Sequence, residues 1–282
     1  MTMNNFGKKK NHIPGFILSF ALLLLTIIML LPFAWVIATS LRAPIDSFRM
    51  PPSFFPTSFQ YQNFIDLFTT FPFATFILNS VKVAVAVVLA NIVVNTMAAY
   101  AFARIKFKGK NVVFLIFISG LMIPIHATLV PSYLIIAQMG LVGTLWALII
   151  PAIVSPLNIF FIRQHMMTIP GSYEEAAYID GAGRFRIYSQ IFLPMSKNVI
   201  ILTSLLSFLA SWNAFIQPLI FLSRWEQMTL PLGITFLSGR MGTGNISVVL
   251  AGVVTSLVIP TAFYLIGQKH IMKGVSLSGL KS

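Results

Sequence analysis

The sequence runs to 282 residues, 57% of them hydrophobic and only 9% charged, whereas a soluble domain of ordinary composition carries ~25% charged residues. That leaves too little polar surface for a water-exposed globule, and the absence of cysteine excludes disulfides and cysteine-ligated metals. The formal charge of +13 points to nucleic acid in a soluble protein but to a cytoplasmic face in a membrane protein, so its placement decides between the two.

In chain order, residues 1–15 carry Lys8, Lys9 and Lys10 and are expected to be a cytoplasmic leader to the first apolar run, 16–40. That run is too long for a typical signal core and has no clear small-x-small cleavage site, so it is expected to be retained as a span. An outer loop, 41–77, follows; its Pro51, Pro52 and Pro56 read as a surface constraint without chemistry. Further apolar runs occupy 78–102, 112–136, 144–161, 198–222 and 248–267. At 1.5 Å per residue each is long enough to cross a ~30 Å hydrocarbon layer, the fourth only just. Pro124, Pro131, Pro151 and Pro156 predict kinks in the third and fourth spans. A second outer loop, 223–247, and a cytoplasmic tail, 268–282, complete the division around a six-helix domain, 16–267.

With the N-terminus inside, the inner segments hold fourteen of the nineteen basic residues: Lys8, Lys9, Lys10, Arg104, Lys106, Lys108, Lys110, Arg163, Arg184, Arg186, Lys197, Lys269, Lys273 and Lys281. The outer loops hold Arg42, Arg49, Arg224 and Arg240, and Lys82 sits near the outer end of the second span, where its stem can snorkel to water. This is the positive-inside bias, and it explains the basic excess by lipid and not by nucleic acid. Asp46, Asp66 and Glu226 fall in outer loops, and Glu174, Glu175 and Asp180 in one inner loop. No carboxylate lies in a span, which argues against a proton-coupled carrier, although polar groups remain available to coordinate sodium. Four scattered histidines show no metal-ligand spacing, and His126 reads as a packed or water-facing residue.

The inner loop 163–197 reads as two short helices with a glycine turn between them. Ser172 and Glu175 have the spacing of a capping box ahead of a helix over 173–179. Gly181 and Gly183 permit the positive φ that would stop it. A second helix from Arg184 is expected to end before Pro194, with Ile187 and Ile191 forming an apolar ridge toward a partner or the membrane domain.

Glu175-Ala176-Ala177, then Gly181, then Ile191-x-Leu193-Pro194 resembles the EAA signature of ATP-binding-cassette (ABC) importer permeases. Trp35 to Arg42, Ala98 to Lys108, Met122-Ile123-Pro124, Ile179-Asp180-Gly181-Ala182 and Trp212-Asn213 extend the resemblance to the carbohydrate-uptake, maltose-type branch. One departure is Ala214, where relatives often carry an acid. The resemblance implies an all-α integral membrane protein of the type I importer permease fold, in a bacterial cytoplasmic membrane. It implies that Glu174, Glu175, Ala176, Ala177, Asp180 and Gly181 belong to a coupling helix docked on a separate ATPase. There Glu175 would make polar contacts, the alanines allow close packing and Gly181 make the turn. The implied partners are a second homologous permease, two ATPase copies and an extracytoplasmic solute-binding protein, which would meet the chain within 223–245. The tail from Lys269 is expected to reach the ATPases. ATP and Mg would be bound by the partner, since no GxxxxGK[ST] loop occurs in this chain and no cofactor of its own is expected.

For the substrate path the candidates are Asn91 and Asn95 on one face of the second span, with Asn213 and Gln217 on one face of the fifth beside Trp212. Amides can bond sugar hydroxyls and an indole can stack on a sugar ring. The competing role for such amides is a bond between neighbouring helices, and Ser204, Ser207 and Ser211 read as a small-residue packing stripe. The function expected is ATP-driven uptake of a sugar or oligosaccharide by alternating access. The alternatives are a non-sugar or modified-sugar solute, an ion-coupled carrier or channel, or a membrane enzyme, for which no catalytic constellation is found.

Overall fold

The computed structural model describes residues 15–43, 46, 58–241 and 245–279, and among them every regular element is helical. The expected leader 1–15 lies, but for Gly15, outside the described residues, as do Pro51, Pro52 and Pro56.

Helix α1 (Gly15–Ser40) is almost uniformly apolar, and its side chains are exposed along nearly its whole length, the state of a helix solvated by lipid. Only its end is buried: the Asn63 amide, on α2 (Gln62–Thr69), donates to the carbonyls of Ser40 at 2.9 Å and Arg42 at 2.8 Å. Helix α3 (Phe73–Arg104) is the axis of the bundle. Phe73, Phe76, Ser80, Val83, Val87, Asn91, Asn95 and Ala99 recur at three- and four-residue steps and bury one stripe of it.

The chain continues through α4 (Lys110–Ser119), α5 (Leu129–Gln138), α6 (Trp146–Ala152), α7 (Pro156–Thr168), α8 (Ser172–Ile179), α9 (Arg184–Ile187), α10 (Leu193–Met195), α11 (Lys197–Trp212), α12 (Ile216–Phe221), α13 (Leu230–Met241) and α14 (Ile246–Gly279), with α7 and α11 packed most extensively on α3. Among the described residues, four helical segments are long and apolar enough to cross a bilayer by themselves: Phe16–Ser40, Phe73–Arg104, Trp146–Thr168 and Ile246–Gln268. Two further candidates are bent pairs, Lys110–Met122 with Ile125–Gln138 at 100°, and Arg184–Met195 with Lys197–Trp212 at 78°. Six crossings therefore stand if each pair counts as one.

Two expected spans are corrected in shape. The stretch 112–136 breaks at Ile123, because Pro124 forces extended backbone before a new 3₁₀ turn, Ile125–Thr128, can start. The stretch 198–222 ends as a helix at Trp212 and restarts as α12, whose Pro218 sits in the first turn, where its missing N–H costs nothing. The expected kinks in the fourth span fall between α6 and α7, with Pro156 as the first residue of α7. The last helix runs beyond the expected boundary at 267, to Gly279.

The segment 223–241, expected to be a loop, contains α13 and a 3₁₀ turn, Trp225–Gln227, pinned to the start of α3. The Asn79 amide donates to the carbonyls of Glu226 and Met228, and the Leu230 amide donates to the Ser80 hydroxyl at 2.7 Å. Gly233 lies so close to α3 that a Cβ there would stand 2.2 Å from Phe76 Cδ2. A large apolar cluster joins α3, α6, α13 and α14, and a smaller one gathers at the opposite end of α3 around Tyr100, Tyr188 and Phe192.

Candidate functional site

Residues 169–197 form an elbow at the Arg104 end of α3. Pro170 precedes α8, whose N-cap is Gly171: its carbonyl accepts from the amides of Glu174 at 2.9 Å and Glu175 at 3.0 Å. The expected capping box is therefore absent, because the helix starts one residue early and Ser172 is already inside it without a side-chain cap bond. Glu174 and Glu175 lie in the first turn, where the helix dipole favours carboxylates. The Tyr178 hydroxyl donates to Glu174 Oε1 at 3.4 Å.

The end of α8 is a Schellman turn. Gly181, at φ 75°, donates to the Tyr178 carbonyl, and Ala182 donates to that of Ala177 at 2.9 Å. Only a residue tolerant of the left-handed region fits at Gly181. Gly183 does not share that role; it is extended, at φ −72° and ψ 162°, and starts α9. The second helix does not stop before Pro194 either. It widens into a π-turn, Tyr188–Phe192, and passes through Pro194 in α10, since a ladder already shifted in register tolerates a missing N–H.

No residue of α8 is buried. Ile179 is 86% exposed and Phe185 71%, with Tyr173, Tyr178, Glu175, Ala176 and Asp180 also open to solvent. Ala177 and Ala182 lean on the cluster beneath, so the tip is fixed from below. Ile187 is fully buried and Ile191 partly, so the apolar ridge faces the membrane domain and not a partner.

Sequence reasoning missed the root of this elbow. The Thr96 and Tyr188 hydroxyls stand 2.7 Å apart, and Tyr100 packs against the rings of Tyr188 and Phe192. The Arg104 guanidinium lies over the Phe192 ring at 4.7 Å and donates to the carbonyls of Met166 and Ile169, which end α7. In return Arg163, on α7, donates to the Phe102 carbonyl near the end of α3 and stacks on Phe114 at 4.0 Å. Both arginines were visible as charges of the topology bias, but nothing in their spacing announced this exchange.

The second feature is a cavity of about 580 Å³ between α3, α6, α7, α11 and α12, lined among others by Asn91, His126, Ser155, Asn158, Ser207, Ser211 and Gln217. Among the described residues, none of those lining it is Asp, Glu, Lys or Arg. Its floor is a polar hub at the break between α6 and α7. Asn91 Nδ2 donates to the carbonyls of Ala152 at 2.8 Å and Ile153 at 3.0 Å, groups freed by the interruption. Asn91 Oδ1 accepts from Asn95, Asn158 and Ser207. Asn95 Oδ1 accepts the Ser155 amide, and the Ser155 hydroxyl caps α7 at Asn158. Irregular backbone inside a membrane requires this kind of partner.

Of the candidate path residues, Asn91 and Gln217 line the cavity. Asn95 is fully buried behind Asn91. Trp212 is buried and stacked on Phe208, and Asn213 turns back to the Leu209 carbonyl. Because α11 ends at Trp212, Asn213 and Gln217 share no helix face. In the serine stripe, Ser207 and Ser211 reach the cavity.

A bundle of lipid-length apolar helices that encloses a largely apolar cavity with a few polar groups, and carries a projecting elbow at one end, suits a solute-translocating membrane subunit. The chain belongs to the family described as binding-protein-dependent transport system inner membrane component, which matches residues 92–273. It is 31% identical over 277 residues to the arabinooligosaccharides transport system permease protein AraQ of Halalkalibacterium halodurans, covering 97% of this chain and 99% of that one. It is also 31% identical to the trehalose/maltose transport system permease protein MalG of Thermococcus litoralis, over 92% of this chain and 94% of the relative. Among solved structures it is similar to a bacterial ABC transporter involved in import of the acidic polysaccharide alginate, with TM-score 0.80 at 21% identity, covering 94% and 99% of the two chains. The protein is thus a membrane-embedded permease subunit with the importer fold, a transport component and not an enzyme.

Proposed function

We propose that this permease forms one half of an ATP-driven pore for a neutral sugar or oligosaccharide. A second homologous permease completes the pore, two ABC ATPases drive it and an extracytoplasmic binding protein delivers the solute. The observation that carries the reading is the elbow: a carboxylate-bearing helix with Ile179 and Phe185 standing bare at its tip, rooted in buried aromatic packing. Exposed apolar side chains of that size rimmed by charge mark a protein interface. In this reading the elbow end is cytoplasmic, as the basic bias requires. Glu174, Glu175 and Asp180 meet the ATPase, Ala176 and Ala177 admit it closely, and Gly181 sets the turn. ATP and Mg are held by the ATPases, and closure of those subunits carries the elbow and rocks the bundle between inward- and outward-facing states.

The cavity supports the solute class. The Gln217 amide and Ser211 hydroxyl offer donors and acceptors to sugar hydroxyls, and Val87, Leu129 and Phe215 offer apolar wall to the faces of sugar rings. Uncharged walls disfavour a sugar acid or sugar phosphate, whose charge would enter without a partner. Gln217 is the path residue this reading retains, since the Asn91 side chain is spent on the hub beneath the cavity.

Isolated from its native membrane, the permease is expected to bring a second permease and two ATPase copies with it. In proteoliposomes containing that assembly, uptake of radiolabelled oligosaccharide should require both ATP and binding protein. Glu175→Arg should abolish uptake while the amount inserted stays constant. Uptake by this chain alone, or uptake driven by an ion gradient, would overturn the proposal.

A further inference from the structure

We infer that Arg104 is a positioning residue for transport: through Phe192 and the end of α7 it makes the elbow, α7 and α3 move as one body. The inference rests on the elbow being the docking site of a driven partner. Its own support is geometric. Arg104 is the last residue of α3, yet its guanidinium reaches two other elements. It binds the carbonyls that finish α7 and covers the Phe192 ring, which is fully buried inside the π-turn at the elbow's root.

A lysine there would neutralise the same helix end, so charge alone does not account for the contact set. One guanidinium nitrogen, Nη2, bridges both carbonyls, which an ammonium could imitate, but lying flat over the Phe192 ring at the same time requires the planar guanidinium. Arg104 Nε is buried without a hydrogen-bond partner among the described residues, which leaves the ring and the two carbonyls to hold the group in place.

The test is the number of ATP molecules hydrolysed per solute imported, measured on assembled complexes in proteoliposomes. Arg104→Lys keeps the charge and loses the flat face over Phe192, and Phe192→Leu keeps bulk and loses the ring. Each is expected to raise ATP consumed per solute about five- to tenfold, with hydrolysis itself falling less than about twofold. Phe192→Tyr, which restores a ring under the guanidinium, should return the ratio to that of the wild type. If hydrolysis and uptake fall in parallel, if the ratio is unchanged, or if neither variant assembles, Arg104 serves folding only and the inference is overturned. If the wild-type complex itself shows no ATP-driven uptake, the functional proposal fails instead.

Discussion

Gly233 shows how little slack individual positions have. Phe76 fills the space a side chain would need, and overpacking of this kind costs about 1–3 kcal/mol. Gly233→Ala should therefore lower the midpoint of thermal unfolding in detergent, and Phe76→Leu in the same chain should recover part of the loss. Strictly additive effects would show that the two groups do not meet. Gly181 belongs with it as a position set by geometry; the sequence offered the stop at Gly181 and Gly183 alike, and the backbone assigns it to Gly181 alone. Ser172 was not legible: Ser-x-x-Glu reads as a cap wherever it falls, and only the preceding Pro170-Gly171 turn moves the helix start by one residue. Trp212 misled for a similar reason. An indole near a pore is a plausible platform for a sugar, but Phe208 and Phe263 had already claimed that part of the core.

Among the elements, the membrane spans were legible wherever an apolar run coincided with one helix, as in α1, α3 and α14. They were less so where proline and local backbone satisfaction divide a run. Ile123-Pro124 marked a break by chemistry that sequence can show, yet its 100° bend depends on what packs beside it. The interruption between α6 and α7 survives because Asn91 and Asn95 supply its missing bonds from another helix, and their role emerges only in three dimensions. The elbow was legible through its signature, whereas the π-turn was not, since no residue pattern distinguishes it from an α-helix stopped by Pro194. Its tip carries a prediction of its own. On the proposed reading of the elbow as an ATPase docking site, Ile179→Ser with Phe185→Ser should weaken that docking by about tenfold or more, as loss of interface anchors does, while insertion into the membrane is unchanged. Co-purification yield across a titration of ATPase would measure it; undiminished docking would place the contact elsewhere.

For the whole molecule, the distribution of lysine and arginine supports the proposed orientation, and the absence of cysteine makes it easy to test. A single cysteine at Ile179 should react with a membrane-impermeant maleimide only from the inner face. One at Phe59, before α2, should react only from the outer face. The reverse pattern would invert the topology and remove the elbow from any cytoplasmic partner.

The long α3 gives that topology a mechanical meaning. Its 32 residues make a rod about 48 Å long, greater than the ~30 Å hydrocarbon layer. One tip is held by Arg104 and Arg163, the other bears on Gly233 and the residues around Asn79, and Asn91 is bonded close to its midpoint. A stiff beam seated on a central fulcrum and grasped at both tips is a lever. Tilting it by about 5° carries its tips about 2 Å in opposite directions, so a pull on one face of the bilayer reaches the other without any relay between them.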